Sequence, residues 1–415
     1  MLRMAMVLAA AALGAPAAAA PKAAARDAKV WSAAETALPA QLKLLEEVVN
    51  IDSGTGDVEG GRKLAAIFKP RLEALGMSVE TIPAEAANLP ENLVATLKGV
   101  GKGRILLIAH LDTVFEPGTA AKRPFKRADE RLTGPGVGDE KGGVVEVIYA
   151  LQILKDLGFK DFGQITLLIE TSEERGSPGT RKLIARLLTE ADVELNLEPG
   201  DPPDALTVWR KGSNSFYIDV KGRPAHAGVA PQEGRNAALE LIHQLEAIKQ
   251  FPTSGEGLTA NLTLMSAGAR YNIIPEDASA AVNVRVRDKA DVEKVAQALE
   301  TSARTTVIPD TKVTIRREAS FPPLPDNPAT DALADRAAAI YAGLGMKIGR
   351  AGNGGASESA LAHEAGVPAL DGLGPVGGKF HSEEEYVDLK SVTPRLYLLT
   401  KLIMELGRHP PARAK

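Results

Sequence analysis

Five short segments of this chain carry the residue types that can hold a metal ion and move a proton. The first is Ala109-His110-Leu111-Asp112-Thr113-Val114, at the end of the apolar run Arg104-Ile105-Leu106-Leu107-Ile108. A glycine-bounded run of branched apolar residues reads as a buried strand, which puts His110 and Asp112 at its mouth. Residues two apart in a strand point the same way, so imidazole and carboxylate leave on one face. A neutral imidazole suits zinc, and a carboxylate beside it can orient the ring. Taken alone, the pair fits a satisfied histidine and an exposed aspartate at a strand end better than it fits a metal site.

The second segment is Gly136-Val137-Gly138-Asp139-Glu140-Lys141-Gly142-Gly143. Its glycines permit a tight turn that aims a carboxylate inward before a helix begins; an aspartate there could also simply cap that helix. The spacing is not that of a phosphate-binding P-loop. The third, Glu170-Thr171-Ser172-Glu173-Glu174-Arg175-Gly176-Ser177, follows the strand-like Ile165 to Ile169. Adjacent carboxylates face different ways, so one can bind metal while its neighbour acts as a general base. A solvated acidic loop is the other option. Glu198-Pro199-Gly200 and Lys379-Phe380-His381-Ser382-Glu383-Glu384 complete the set.

The elements that must position these residues alternate. Helical periodicity runs over 34–49, 62–75, 142–157 and 179–188, with strands expected at 92–97, 104–109, 165–170 and 194–197. Such alternation argues for an α/β fold with a mostly parallel central sheet, whose ligands gather at the carboxyl ends of the strands. The texture changes near Gly212. Strands at 215–220, 258–265, 279–286 and 312–316, with helices at 236–249 and 291–302, spell the ferredoxin-like order β-α-β-β-α-β. Beyond Phe321-Pro322-Pro323-Leu324-Pro325 the α/β texture returns at 361–365 and 367–373 and ends in a helix at 394–406. The expected organisation is a leader at 1–25, a catalytic domain in two parts at 26–211 and 321–415, and an inserted domain at 212–320.

Composition narrows the function. The 415 residues carry a formal net charge of −4 and no cysteine. There is no basic footprint for nucleic acid, and thiolate ligands, disulfides and a cysteine nucleophile are excluded, so a metal would be held by His, Asp and Glu. Met1-Leu2-Arg3, the apolar run Met4 to Gly14 and the small residues Ala15 to Ala20 form a secretory signal pattern. That run is too short to span a bilayer. The expectation is a secreted or periplasmic mature protein with no membrane span.

The ordered set His110-x-Asp112, Gly-x-Gly-Asp139-x-Lys-Gly-Gly, Glu173-Glu174, Glu198-Pro199 and His381 resembles the co-catalytic di-zinc peptidases and deacylases. That family includes acetylornithine deacetylase, succinyl-diaminopimelate desuccinylase and aminoacylase. The chain is most similar to the family's exported glutamate carboxypeptidase (carboxypeptidase G) branch, from about Ala34 to Gly407. The resemblance implies a zinc-exopeptidase-like sheet flanked by helices, with a lid that also forms a homodimer. It implies two zinc ions, one held by His110, Asp139 and Glu198, the other by His381, Glu174 and the shared carboxylate of Asp139. It makes Glu173 the general acid/base and Asp112 the orienter of His110. It also implies that His226, in Gly222-Arg223-Pro224-Ala225-His226-Ala227-Gly228, reaches a partner subunit's site as an oxyanion donor. Asn272 and Arg285 would grip a substrate carboxylate, a bidentate task suited to guanidinium. Taken alone, His226 is also a plausible turn residue and Arg285 a surface cation. The loop Gly352-Asn353-Gly354-Gly355-Ala356-Ser357-Glu358-Ser359 would line the amino-acid pocket through Gly355. It departs from the family by Ala356 for glycine and Glu358 for aspartate. The substrate implied is a small peptide or N-acyl amino acid with C-terminal glutamate; a broader aminoacylase or dipeptidase is the alternative.

Overall fold

The computed structural model describes residues 25–413. The leader expected at 1–25 lies, but for its last residue, outside them. The chain is a mixed α/β protein built on a six-stranded sheet. In spatial order its strands are Ser78–Ile82, Asn92–Lys98, Gln164–Glu170, Arg104–His110, Val193–Asn196 and Ala369–Leu370. Asn92–Lys98 alone runs against the other five.

The two-residue period of the strands divides the core. Ile105, Leu107 and Ala109 pack with Ile165, Leu167 and Ile169 against the helices Ala28–Val49, Lys141–Asp156 and Leu389–Arg408. Leu106, Ile108 and Leu168 pack on the opposite face with Leu183, Ile184 and Leu187 of the helix Arg181–Glu190. A strand covered on both faces needs apolar residues at every position, which is why Arg104 to Ala109 shows no alternation.

Residues 212–319 form a separate antiparallel sheet with a core of its own, centred on Phe216, Ile218, Val282, Val284, Val295 and Leu299. Its order is Thr259–Ala267, Asp277–Val286, Gly212–Lys221, Lys312–Ala319. The helices Ala237–Leu245 and Asp291–Ala303 complete the ferredoxin-like sequence of elements. Chain entry and exit are tied together, because Ser213 N donates to Phe321 O and Ser320 N to Ser213 O, each at 2.9 Å.

Several boundaries differ from the sequence expectation. The first helix starts at Ala28 because Asp27 accepts from the amides of Lys29 and Val30. The last starts at Leu389, capped by Asp388, and takes Pro394 inside it. The helix expected over 236–249 ends at Leu245 and continues as a tighter turn, Glu246–Gln250. The helix Pro328–Ala342 was not expected; Asn327 caps it by accepting from Thr330 N.

Replacing the fully buried Leu107 by alanine should cost about 3 kcal/mol in denaturant unfolding. Val100→Ala, at a position 82% exposed, should cost less than about 0.5 kcal/mol.

Candidate metal centre

Three neighbouring parallel strands end on one edge of the sheet, and each delivers part of the site. His110 closes its own strand. Glu173 and Glu174 sit on a single tight turn, Glu173–Arg175, just past the strand Gln164–Glu170. Glu198 follows Val193–Asn196, and its amide donates to the Asn196 side-chain oxygen at 3.0 Å. Asp139 lies in the glycine loop before the helix Lys141–Asp156. His381 arrives from a distant loop in which Lys379 and His381 adopt φ of 61° and 63°. A left-handed backbone at two non-glycine residues costs free energy and persists only where the surroundings enforce it.

The Asp139 carboxylate is the hinge of the arrangement. Its Oδ1 lies 3.1 Å from His110 Nε2 and its Oδ2 lies 3.2 Å from His381 Nε2. Around His110 Nε2 stand Glu198 Oε1 at 3.5 Å and Glu173 Oε2 at 4.0 Å. Around His381 Nε2 stands Glu174 Oε2 at 3.1 Å. Two groups of donor atoms result: His110, Glu173 and Glu198 in one, and Asp139, Glu174 and His381 in the other. Asp139 reaches both through its separate oxygens. The aspartate is therefore no helix cap; the capping position belongs to Glu140.

The electrostatics call for cations. Burial, then the charge of Glu358, pushes the Glu173 carboxyl well up. Burial and Asp139 push Glu174 up to about 7. Hydrogen bonds to Asp139 and Glu174 raise His381 to about 10. Burial alone would raise Asp139, but His110 and His381 overcome it and hold this carboxyl low. His110 Nε2 and Glu174 Oε1 are buried without a hydrogen-bond partner. Crowded carboxylates, two imidazoles and orphaned lone pairs are a donor set that fits two divalent metal ions.

A ring of backbone-directed carboxylates holds these ligands. His110 Nδ1 lies 2.9 Å from the Asp112 main-chain carbonyl, whereas the Asp112 carboxylate is 3.6 Å away. Asp112 thus orients the ring mainly through its backbone. Its carboxylate instead accepts from the amides of Glu173 (3.1 Å) and Glu174 (3.3 Å) and from Thr55 Oγ1 (2.7 Å). Glu140 accepts from His110 N at 2.9 Å. Glu385 accepts from the amides of Gly136, Gly138 and Asp139 at 3.0–3.2 Å, so the loops bearing Asp139 and His381 are pinned by one side chain. The buried Arg210 donates two bonds to Asp371 and reaches Glu198 Oε2 at 3.3 Å.

Beside the cluster opens a cavity of about 560 Å³, lined in part by Arg285, Asn283, Arg210, Gly355 and Ala356. Arg285 Nε donates to Asn283 Oδ1 at 2.9 Å. Burial lowers the guanidinium's pKa and the charge of Glu173 partly restores it. Glu358 does not face the cavity; it is buried with Asn196 Nδ2 at 2.9 Å. His226 and Asn272 stand apart from this cavity within the chain. Both are exposed, on adjoining loops joined by Ala227 N donating to Asn272 O at 2.9 Å. The asparagine beside Arg285 is Asn283, a residue of the same strand. Its spacing from Arg285, two residues, was the available signal; Glu385 was hidden among three consecutive glutamates, of which it alone is buried.

Comparison with known proteins agrees with this geometry. The family model described as "Peptidase family M20/M25/M40" matches residues 106–405. Carboxypeptidase G2 of Pseudomonas sp. (strain RS-16) is 34% identical, over 92% of this chain and 93% of that protein. A crystal structure of a tripeptidase from Staphylococcus aureus superposes with a TM-score of 0.73 at 25% identity, covering 90% of this chain and 99% of that one. An M20 family metallo-carboxypeptidase from Sulfolobus solfataricus shares the fold with a TM-score of 0.70 at 16% identity, covering 89% and 99%.

An imidazole raised to about 10 is a cation at neutral pH, and a cationic ring cannot ligate. Metal uptake must therefore expel its proton. Zinc titrations in buffers of different ionisation enthalpy should show release of about one proton or more per chain, with affinity rising as pH increases from 6 to about 8. Binding independent of pH would contradict the assignment of His381 as a ligand.

Proposed function

The chain belongs to peptidase family M20/M25/M40, and we propose that it is an exported di-zinc carboxypeptidase that releases C-terminal glutamate from small peptides or N-acyl glutamates, folate-like ones included. Membership makes it a metal-dependent hydrolase of the metallo-carboxypeptidase kind. The observation that carries the substrate reading is Arg285. Its guanidinium lines the cavity beside the acidic cluster, and its terminal nitrogens make no hydrogen bond to protein among the described residues. A substrate carboxylate satisfies that fork bidentately. Arg175 also lines the cavity and makes no ion pair among the described residues, so it is available to an acidic substrate side chain.

His110, Asp139 and Glu198 would hold one zinc, and Asp139, Glu174 and His381 the other. Bound there, the two ions would supply Lewis acidity to the scissile carbonyl and lower the pKa of the attacking water. Glu173 takes a proton from that water as its oxygen adds to the carbonyl carbon. It then gives the proton to the amide nitrogen as the C–N bond breaks, leaving a carboxylate and a free amine. Arg285 fixes the leaving amino acid so that its nitrogen stays within reach of Glu173.

Assembly completes the reading. His226 Nδ1 accepts from the amides of Gly228 and Val229 at 3.2 and 3.1 Å. This leaves Nε2–H as a donor pointing away from its own turn. The fully exposed Tyr271 and Val229, at 77%, flank it, and Leu262, Leu264 and Met265 are exposed on an edge strand of the same sheet. We place a homodimer contact on this sheet, with His226 and Asn272 serving the partner's cavity. The leader pattern of residues 1–20 supports export. A broader aminoacylase or dipeptidase specificity is favoured by Ala356 in the lining and by Glu358 turning away from it.

Glu173→Gln should keep its metal content by elemental analysis while kcat on N-acyl glutamates falls about 10²–10⁴-fold. Full activity in that variant removes Glu173 from the mechanism. For the dimer, His226→Ala and Glu173→Gln chains should each be inactive alone. Mixed and reannealed, they should recover about a quarter of wild-type activity, because only a heterodimer carries one intact composite site.

A further inference from the structure

Two of the ligand-bearing segments meet in a second, smaller sheet. The strand Pro199–Gly200 follows Glu198 directly and runs parallel to Gly374–Gly378, which leads into the loop of His381. Gly374 N donates to Glu198 O at 2.9 Å. The pairing is short, rich in glycine, and shifts register between Gly374 and Val376. A ladder of this kind specifies its own register weakly, because few side chains tell one pairing from the next. A slip of one residue moves the chain by about 3.3 Å, whereas a metal–ligand bond tolerates about 0.2 Å. Something outside the ladder must therefore keep Glu198 and His381 in step.

We propose that Arg395 is a positioning residue: by bridging the two strands from behind, it fixes their register and with it the spacing of the two metal positions. The inference rests on the two-metal reading above. Arg395 is fully buried on the helix Leu389–Arg408 and does not line the catalytic cavity. Its Nη1 donates at 2.6 Å to the carbonyl of Gly372, just ahead of the second strand, and Nη2 donates to Ala205 O at 2.9 Å. Nε donates to Asp204 Oδ1 at 3.0 Å, and this carboxylate supplies the counter-charge. On the first strand the guanidinium lies against Gly200, where a Cβ would stand 2.3 Å from Nη2 and 2.7 Å from Cζ. Glycine is needed there because the arginine fork occupies the space of a side chain. The same helix holds the second strand once more, through Ser391 Oγ, which accepts from Val376 N at 2.9 Å. A buried ion pair adds little net stability against its desolvation. What a planar fork of fixed donors does supply is geometry.

The test measures zinc affinity by chelator competition on the full metal-free chain, for the wild type, Arg395→Met, Gly200→Ala and Leu402→Ala. Leu402 is fully buried about two turns further along the same helix, and its variant is the control for lost packing. Arg395→Met and Gly200→Ala should each weaken binding of the second zinc about 10–100-fold. Leu402→Ala should lose stability and keep wild-type affinity. On the metal-free chains, hydrogen exchange at the Gly374 amide should quicken about tenfold or more in both variants and not in the control. Gly200→Ala keeps every atom of Arg395 and covers the case in which Arg395→Met does not fold. Wild-type affinity and wild-type Gly374 protection in the folded variants would overturn the proposal, as would equal losses in Leu402→Ala. If the wild type binds fewer than two zinc ions, the two-metal reading falls instead, and Gly374 protection alone decides the role of Arg395.

Discussion

The site is organised around one carboxylate placed between two imidazoles. Asp139 offers a separate oxygen to His110 and to His381 at nearly equal distances, while Glu173, Glu174 and Glu198 crowd the same space. Like charges in a buried pocket repel strongly, and the protein alone answers with protons, pushing Glu173 and Glu174 up and His381 up to about 10. Divalent cations answer better, because they satisfy several oxygens at once without adding a donor that must itself be solvated.

That concentration of charge stays in place because other acids are used on the backbone. Asp112, Glu140 and Glu385 accept six main-chain amides between them: those of Glu173 and Glu174, of His110, and of Gly136, Gly138 and Asp139. Charge-assisted bonds of this kind are short and directional. Each one fixes the backbone of a ligand or of its neighbour, so the ligands need little freedom of their own. Arg210 works in the opposite sense, holding the distal oxygen of Glu198 while Asp371 neutralises it. A loop far along the chain joins through Ser357, whose hydroxyl donates to Asp371 at 2.5 Å.

Much of the scaffold was legible in the chain. Runs such as Arg104 to Ala109 announce doubly covered strands through their unbroken apolar character, and 212–319 shows the ferredoxin-like order of elements. Less legible were elements fixed by single capping side chains, such as the helix Pro328–Ala342 behind Asn327. Local pattern marks a strand or helix by many residues together, whereas a cap is one hydrogen bond. At the site, the five ligand segments were recognisable by residue type. Asp112 was expected to work with its carboxylate and works on His110 mainly with its carbonyl. Asn272 was expected to grip the substrate carboxylate together with Arg285; within the chain it is exposed away from the cavity, which Asn283 lines. Two asparagines in neighbouring segments look alike until the sheet decides which one faces the cavity.

The sequence by itself determined the chemistry: histidine and carboxylate at strand ends and glycine turns, no thiol, and a ligand order matching one family. Those features are local, set by residue type and by spacing of two to four positions. Only the tertiary structure decided how they divide the work. Parallel strand register brings His110, the Glu173–Arg175 turn and Glu198 to one edge, and Glu385 bolts His381's loop to that of Asp139 across almost 250 residues. Which of three adjacent glutamates is buried and which oxygen of Asp139 meets which ring are questions of distance between remote segments. Such distances come from the closing of the whole core, and no short stretch of chain encodes them.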